Sequence, residues 1–166
     1  NVDLNAAIEL GIKVSNTPDA PTEAVAEMCL TALLALKREL IPFNQDLHQG
    51  VWQKRIGMGL RNSNVLLIGY GRIGKRFGEH LRALGAKIMI CDPVINEVDL
   101  AHGEKKISLH DGLREADVIS LHAGGSDPIL GKEEFSILKP GVILLNSARG
   151  SLIAEEDLVQ ALKGNI

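Results

Sequence analysis

The sequence predicts an α/β fold built on a doubly wound parallel sheet, and three observations carry that expectation. Four short runs rich in Val, Ile and Leu recur from residue 65 onward without strict alternation, the pattern of strands covered on both faces. Amphipathic stretches separate them. A glycine-rich turn follows the first of these runs directly and opens the next helical stretch.

The elements are read in order along the chain. Asp3 to Leu10 carries a helical pattern that Gly11 ends, and Ile12 to Ser15 is predicted as a strand. Thr17-Pro18-Asp19-Ala20-Pro21 then breaks regular structure, so a domain boundary is placed there: residues 1–20 are the remnant of one domain with its crossover, and residues 21–166 are the next domain. Thr22 to about Leu40 has helix-forming composition, with apolar residues on nearly every face between Ala24 and Leu36. Such a helix needs cover on more than one side, from the sheet or from a second subunit. Pro42 is expected to close it, and Phe43 to Trp52 to form another helix before a loop containing Gly57 and Gly59.

The predicted strands are Val65 to Ile68, Lys87 to Cys91, Val118 to Leu121 and Val142 to Leu145, with a weaker one at Lys105 to Ile107 in third place. The helices between and after them are Ile73 to Leu84, Leu109 to Glu115, Lys132 to Leu138 and Glu155 to Lys163. This is the βαβαβ order of the Rossmann arrangement. The chain starts at Asn1 rather than a methionine and stops just past a helix, where an alternating chain would begin another strand. It is therefore read as a fragment, truncated at the carboxyl end.

Bulk properties exclude several classes. A net charge of −3 gives no basic field to gather phosphates along a duplex, so nucleic acid is not expected as a partner. The most apolar stretch, Ala24 to Leu36, is interrupted by Glu27 and Thr31 and is too short to cross a bilayer, so no membrane partner is expected either. Cys29 and Cys91 lie far apart in apolar runs, which reads as two buried thiols in a reducing, cytoplasmic compartment. Neither a disulfide framework nor a metal site is available.

The strongest chemical signal is Gly69-Tyr70-Gly71-Arg72-Ile73-Gly74, a GxGxxG turn between a strand and a helix. Gly69 permits the tight turn, Gly71 lets the backbone approach a pyrophosphate, and Gly74 lets the helix pack close to the strand. The free N–H groups and positive dipole end of the helix would hold the pyrophosphate. Asp92 ends the second strand about twenty residues later, where a carboxylate accepts both hydroxyls of an adenosine ribose. The same carboxylate repels a 2′-phosphate, and Pro93 supplies no cation, so NAD is favoured over NADP. Two readings of Arg72 stay open: it reaches a phosphate, or it lies solvated on the first turn.

Longer segments carry a family resemblance. Gly11-Ile12-Lys13-Val14-Ser15-Asn16-Thr17-Pro18, Glu23-Ala24-Val25-Ala26-Glu27, Gly50-Val51-Trp52, Asp117 to His122 and Asn146-Ser147-Ala148-Arg149-Gly150 occur in an order that resembles the NAD-dependent D-2-hydroxyacid dehydrogenases. The resemblance implies that Arg149 holds the carboxylate and carbonyl oxygen of a small 2-hydroxy or 2-oxo acid beside the nicotinamide. It also implies that His122, Ala123, Ser147 and Ala148 lie at the cofactor, and that the chain pairs into a homodimer. Arg149 follows a core strand at the ligand-binding edge of the sheet, and a guanidinium matches a planar carboxylate bidentately; an isolated arginine would more commonly pair with a neighbouring acid.

His122 is not assigned as the general base, because the resemblance places a base histidine and its glutamate partner beyond Ile166. The fragment is accordingly expected to bind NAD weakly, if at all, and to turn over no substrate. Where relatives carry His-x-Pro-Leu-Thr, this chain reads His122-Ala123-Gly124-Gly125-Ser126-Asp127-Pro128 and is shorter before Lys139. The departure leaves backbone contacts to the cofactor but removes the usual side chains. Another class stays open beside the enzyme: an NAD(H)-sensing, corepressor-like protein of the same fold.

Overall fold

A computed structural model describes residues 2–97, 100 and 102–164. Its sheet has five parallel strands: β1 (Asn64–Ile68), β2 (Lys87–Cys91), β3 (Lys105–Lys106), β4 (Val118–Leu121) and β5 (Ile143–Asn146), in the order β3-β2-β1-β4-β5. The order reverses at β1, as a doubly wound sheet requires. The helices are α1 (Leu4–Glu9), α2 (Thr22–Lys37), α3 (Leu40–His48), α4 (Arg72–Ala83), α5 (Leu109–Glu115), α6 (Lys132–Ser136) and α7 (Glu155–Lys163).

Strand β1 is the reason the sheet has two cores. Its side chains alternate across the sheet, so Val65 and Leu67 join one buried cluster and Leu66 and Ile68 the other. The first cluster packs Ala26, Cys29 and Leu33 of α2 and Phe77 and Leu81 of α4 beneath β1 and β2. The second packs Leu113 of α5, Phe135 of α6 and Ala161 of α7 against the opposite face. Each fully buried leucine or phenylalanine contributes about 1.5–3 kcal/mol of transfer free energy. The site edge therefore rests on a core sealed from both sides.

Four details depart from expectation. Residues 12–15 form no strand: they are exposed, and no strand lies beside them among the described residues to complete their hydrogen bonds. Pro42 does not close α2, which ends at Lys37; the chain turns through Glu39 at φ 52°, and Pro42 falls in the first turn of α3, where its missing N–H costs nothing. Helix α3 stops at His48, which leaves Trp52 outside it and 84% exposed. Of the two thiols expected to be buried, Cys29 is, but Cys91 is half-buried because it ends β2 at the mouth of a groove.

Helix α2 buries one stripe, Ala26, Cys29, Leu33 and Lys37, chiefly against α4. Met28 and Leu36 on its other faces stay 69% and 53% exposed.

Candidate cofactor-binding site

The carboxyl ends of β1, β2 and β4 enclose a groove of about 450 Å³ lined by Gly69, Gly71, Asp92, Val94, His122 and Ala123, among others. Open α/β sheets bind ligands at this edge, where the strand order reverses.

Each glycine of the turn answers a different constraint. Gly69 sits at φ 90°, and a Cβ there would stand 2.6 Å from the Ala123 nitrogen, so the loops after β1 and β4 touch through it. A Cβ on Gly74 would overlap the Gly69 carbonyl oxygen, which explains the close packing of α4 on the turn. Gly71 differs: its φ of −73° is ordinary, and nothing lies within 4 Å of where its Cβ would be. No internal contact requires glycine there, and the open space is what an approaching diphosphate needs. No side chain caps α4, so its first-turn N–H groups face that space without a competing acceptor from the cap.

Asp92 is tied to the turn. Its Oδ2 accepts the Tyr70 backbone N–H at 2.7 Å and its Oδ1 accepts the Val94 N–H at 2.8 Å. Burial opposes ionisation of Asp92, but the backbone donors of Tyr70, Val94 and Ile95 outweigh it and hold the carboxyl below its ordinary pKa. The group is anionic at neutral pH and keeps acceptor lone pairs for a further donor. Arg72 turns outward instead, its Nε 3.3 Å from Asp19 Oδ1 with both side chains largely exposed, and Ile73 is half-buried in the first turn.

His122 lies between two serines, with Nδ1 2.9 Å from Ser147 Oγ and Nε2 2.9 Å from Ser120 Oγ. Ser147 also reaches the Leu121 carbonyl at 3.3 Å. A serine has one proton, so Ser147 donates to that carbonyl and accepts from Nδ1–H, which leaves Nε2 to accept from Ser120. Burial lowers the His122 pKa to about 4, so the ring is neutral. It fastens the end of β4 to the loop after β5.

That loop carries Arg149. Asn146 Oδ1 accepts the Ala148 N–H at 3.0 Å, and Asn146 Nδ2 donates to the Arg149 carbonyl at 2.8 Å, so the asparagine shapes the loop from within. The Arg149 side chain is exposed, makes no ion pair among the described residues, and places Nη1 3.9 Å from where a Cβ on Gly124 would stand. A neighbouring acid therefore does not claim it. The short 124–128 segment beside it is exposed, and the chain rejoins the fold where the Ile129 N–H donates to the Leu152 carbonyl at 2.8 Å.

The structure thus gathers residues 69–71, Asp92, His122, Ala123, Ser147, Ala148 and Arg149 along one sheet edge and turns Arg72 away. Glu104 was not legible in advance: a lone glutamate in a connecting segment carries no signal, yet it binds the Tyr70 hydroxyl.

This geometry defines a dinucleotide-binding α/β domain. Residues 30–166 match the family described as "D-isomer specific 2-hydroxyacid dehydrogenase, NAD binding domain", and the chain belongs to that family. It is 36% identical to a hydroxypyruvate reductase of Blautia hydrogenotrophica across 97% of this chain and 53% of that protein. It also resembles the apo-structure of D-lactate dehydrogenase from Escherichia coli, at 31% identity and TM-score 0.89 over 99% of this chain and 54% of the other. The D-lactate dehydrogenase of Lactobacillus jensenii, solved with NAD+, matches at 29% identity and TM-score 0.86, with 99% of this chain and 51% of that one covered. The chain spans about half the length of these relatives. NAD is the family's cofactor, and the fold, the turn and the acid at residue 92 all suit it.

Proposed function

We propose that the full-length protein is an oxidoreductase acting on a small 2-hydroxy or 2-oxo acid with NAD(H), and that this chain supplies its nucleotide site and its substrate-holding arginine. The single observation that carries the reading is the exposed Arg149 guanidinium, without an ion pair among the described residues, beside Gly124 at the same sheet edge as the Gly69–Gly74 turn. Bound NAD(H) supplies the hydride exchanged with C2 of the acid. Gly71 and the first turn of α4 receive the diphosphate, with Tyr70 and Ile73 completing the turn. Asp92 receives the adenosine ribose. His122, Ala123, Ser147 and Ala148 frame the other end, and Arg149 fixes the acid's carboxylate through two charge-assisted hydrogen bonds.

Neutral His122 contributes position rather than proton transfer, since both ring nitrogens are engaged by serines. On this reading residues 1–20 lead from a substrate-binding domain and residues 21–166 are the nucleotide domain. The exposed apolar side chains Met28 and Leu36 of α2 support a homodimer, and the free thiols support a cytoplasmic setting. The test is steady-state kinetics of the full-length protein with NADH and glyoxylate, hydroxypyruvate and pyruvate. The reading expects NADH oxidation with at least one of them and fails if none is reduced. Light scattering that gives only monomer mass would remove the dimer.

A further inference from the structure

Two carboxylates, from opposite ends of one segment, both bind Tyr70. Its backbone N–H donates to Asp92 Oδ2 at 2.7 Å, and its hydroxyl donates to Glu104 Oε1 at 3.3 Å. Asp92 begins and Glu104 ends the connection from β2 to β3, whose residues Pro93 and Val94 wall the groove. The Tyr70 ring is buried over Gly78 of α4, where a Cβ would stand 3.4 Å from Cε2.

Glu104 is the hub. Its side chain is 3% exposed, and it accepts from the Arg82 guanidinium of α4 and from the His102 N–H at 2.9 Å, as well as from Tyr70. A carboxylate this deep persists only when several donors compensate its lost hydration. Burial, reinforced by the Glu104 charge, pushes the Tyr70 pKa up to about 12, so its hydroxyl keeps the proton it donates. Packing over Gly78 alone would be satisfied by phenylalanine; the hydroxyl and the buried acid are extra.

We infer that Tyr70 and Glu104 are positioning residues for Asp92, holding the Gly69–Tyr70 peptide so that its N–H fixes the rotation of the carboxylate for an adenosine ribose without a 2′-phosphate. The inference rests on the dinucleotide reading of the groove. A carboxylate held by the Val94 N–H alone keeps more torsional freedom than one held at both oxygens, and two vicinal hydroxyls need fixed acceptor directions. Repulsion of a 2′-phosphate needs only the charge, whichever way the carboxylate turns. Loosening the pin therefore weakens NADH and leaves NADPH where it was.

The experiment is fluorescence titration of the full-length protein with NADH and with NADPH. Tyr70→Phe and Glu104→Ala are expected to raise the Kd for NADH by about 3- to 10-fold, the scale of one lost hydrogen bond, with NADPH changed by less than about 2-fold. Glu104→Gln, which keeps an acceptor oxygen for Tyr70, is expected to recover most of the NADH affinity. Parallel losses for both nucleotides, or a lower Tm with an unchanged NADPH-to-NADH ratio, would overturn the positioning role. Tyr70→Phe removes one hydroxyl and decides the matter alone if Glu104→Ala does not fold. Asp92→Ala separates the two claims: if it leaves NADH binding untouched, the nucleotide reading itself fails.

Discussion

Asp92 and Arg149 stand toward opposite sides of one sheet edge, after β2 and after β5, and their surroundings differ. Both oxygens of Asp92 already accept backbone N–H groups, and the turn that supplies one of them is anchored by a buried carboxylate. Arg149 has a fixed backbone but an exposed side chain with no anion beside it among the described residues. The side proposed for adenosine is built before anything binds. The side proposed for the acid offers an uncommitted charge, which a bound carboxylate would order.

The sharpest way to break this comparison is to remove the uncommitted charge. Arg149→Leu in the full-length protein is expected to lower kcat/KM for a 2-oxo acid by about 10³-fold, the scale of two lost charge-assisted hydrogen bonds. The Kd for NADH is expected to stay within about 2-fold, because Arg149 is assigned to the acid rather than the nucleotide. An equal loss of both would merge the two sides.

The loop under Arg149 depends on a neutral His122. An unfolded chain protonates this histidine below its ordinary value of 6.5, whereas the native ring resists until about 4. The contribution of His122 is therefore intact above pH 6.5, falls as pH drops through the window from 6.5 to 4, and levels off below it. The loss amounts to about 3 kcal/mol across the window. Urea unfolding from pH 7 to 4 is expected to show this slope in the wild type and to lose it in His122→Gln. An unchanged slope in the variant would show the ring to be charged or irrelevant.

Two glycines sharpen the contrast between built and open space. Gly69→Ala meets the Ala123 backbone at a positive φ and is expected to lower Tm by about 10 °C. Gly71→Ala meets nothing and is expected to shift Tm by no more than a few degrees while weakening NADH by about 10-fold. If both act on stability alone, the space over Gly71 is not a phosphate site. The smallest effect belongs to Arg72→Ala: its pairing with Asp19 is solvent-exposed, so NADH affinity is expected to change by less than about 2-fold.

Local chemistry governs what the sequence revealed. Strands β1, β2 and β4 were legible because apolar runs of four or five residues with buried centres leave few alternatives, and the Gly69–Gly74 turn because each glycine meets a constraint that sequence spacing encodes. Ile12 to Ser15 misled because strand-forming composition says nothing about whether an edge lies beside it. Pro42 misled because proline ends one helix and begins another with equal ease, and the left-handed Glu39 that separates them has no signature. Glu104, and the pairing of His122 with Ser120 and Ser147, were invisible for a different reason: the partners are remote in sequence, or become partners only once the sheet forms.

The central claim is that nucleotide is held by the built side and acid by the open side. One calorimetric series tests it most directly: NADH titrated into the full-length wild type, Asp92→Ala and Arg149→Leu. Saturable binding that Asp92→Ala weakens by at least about 10-fold and Arg149→Leu leaves in place is the expected result. The opposite ranking, or no saturable uptake by the wild type, would contradict it.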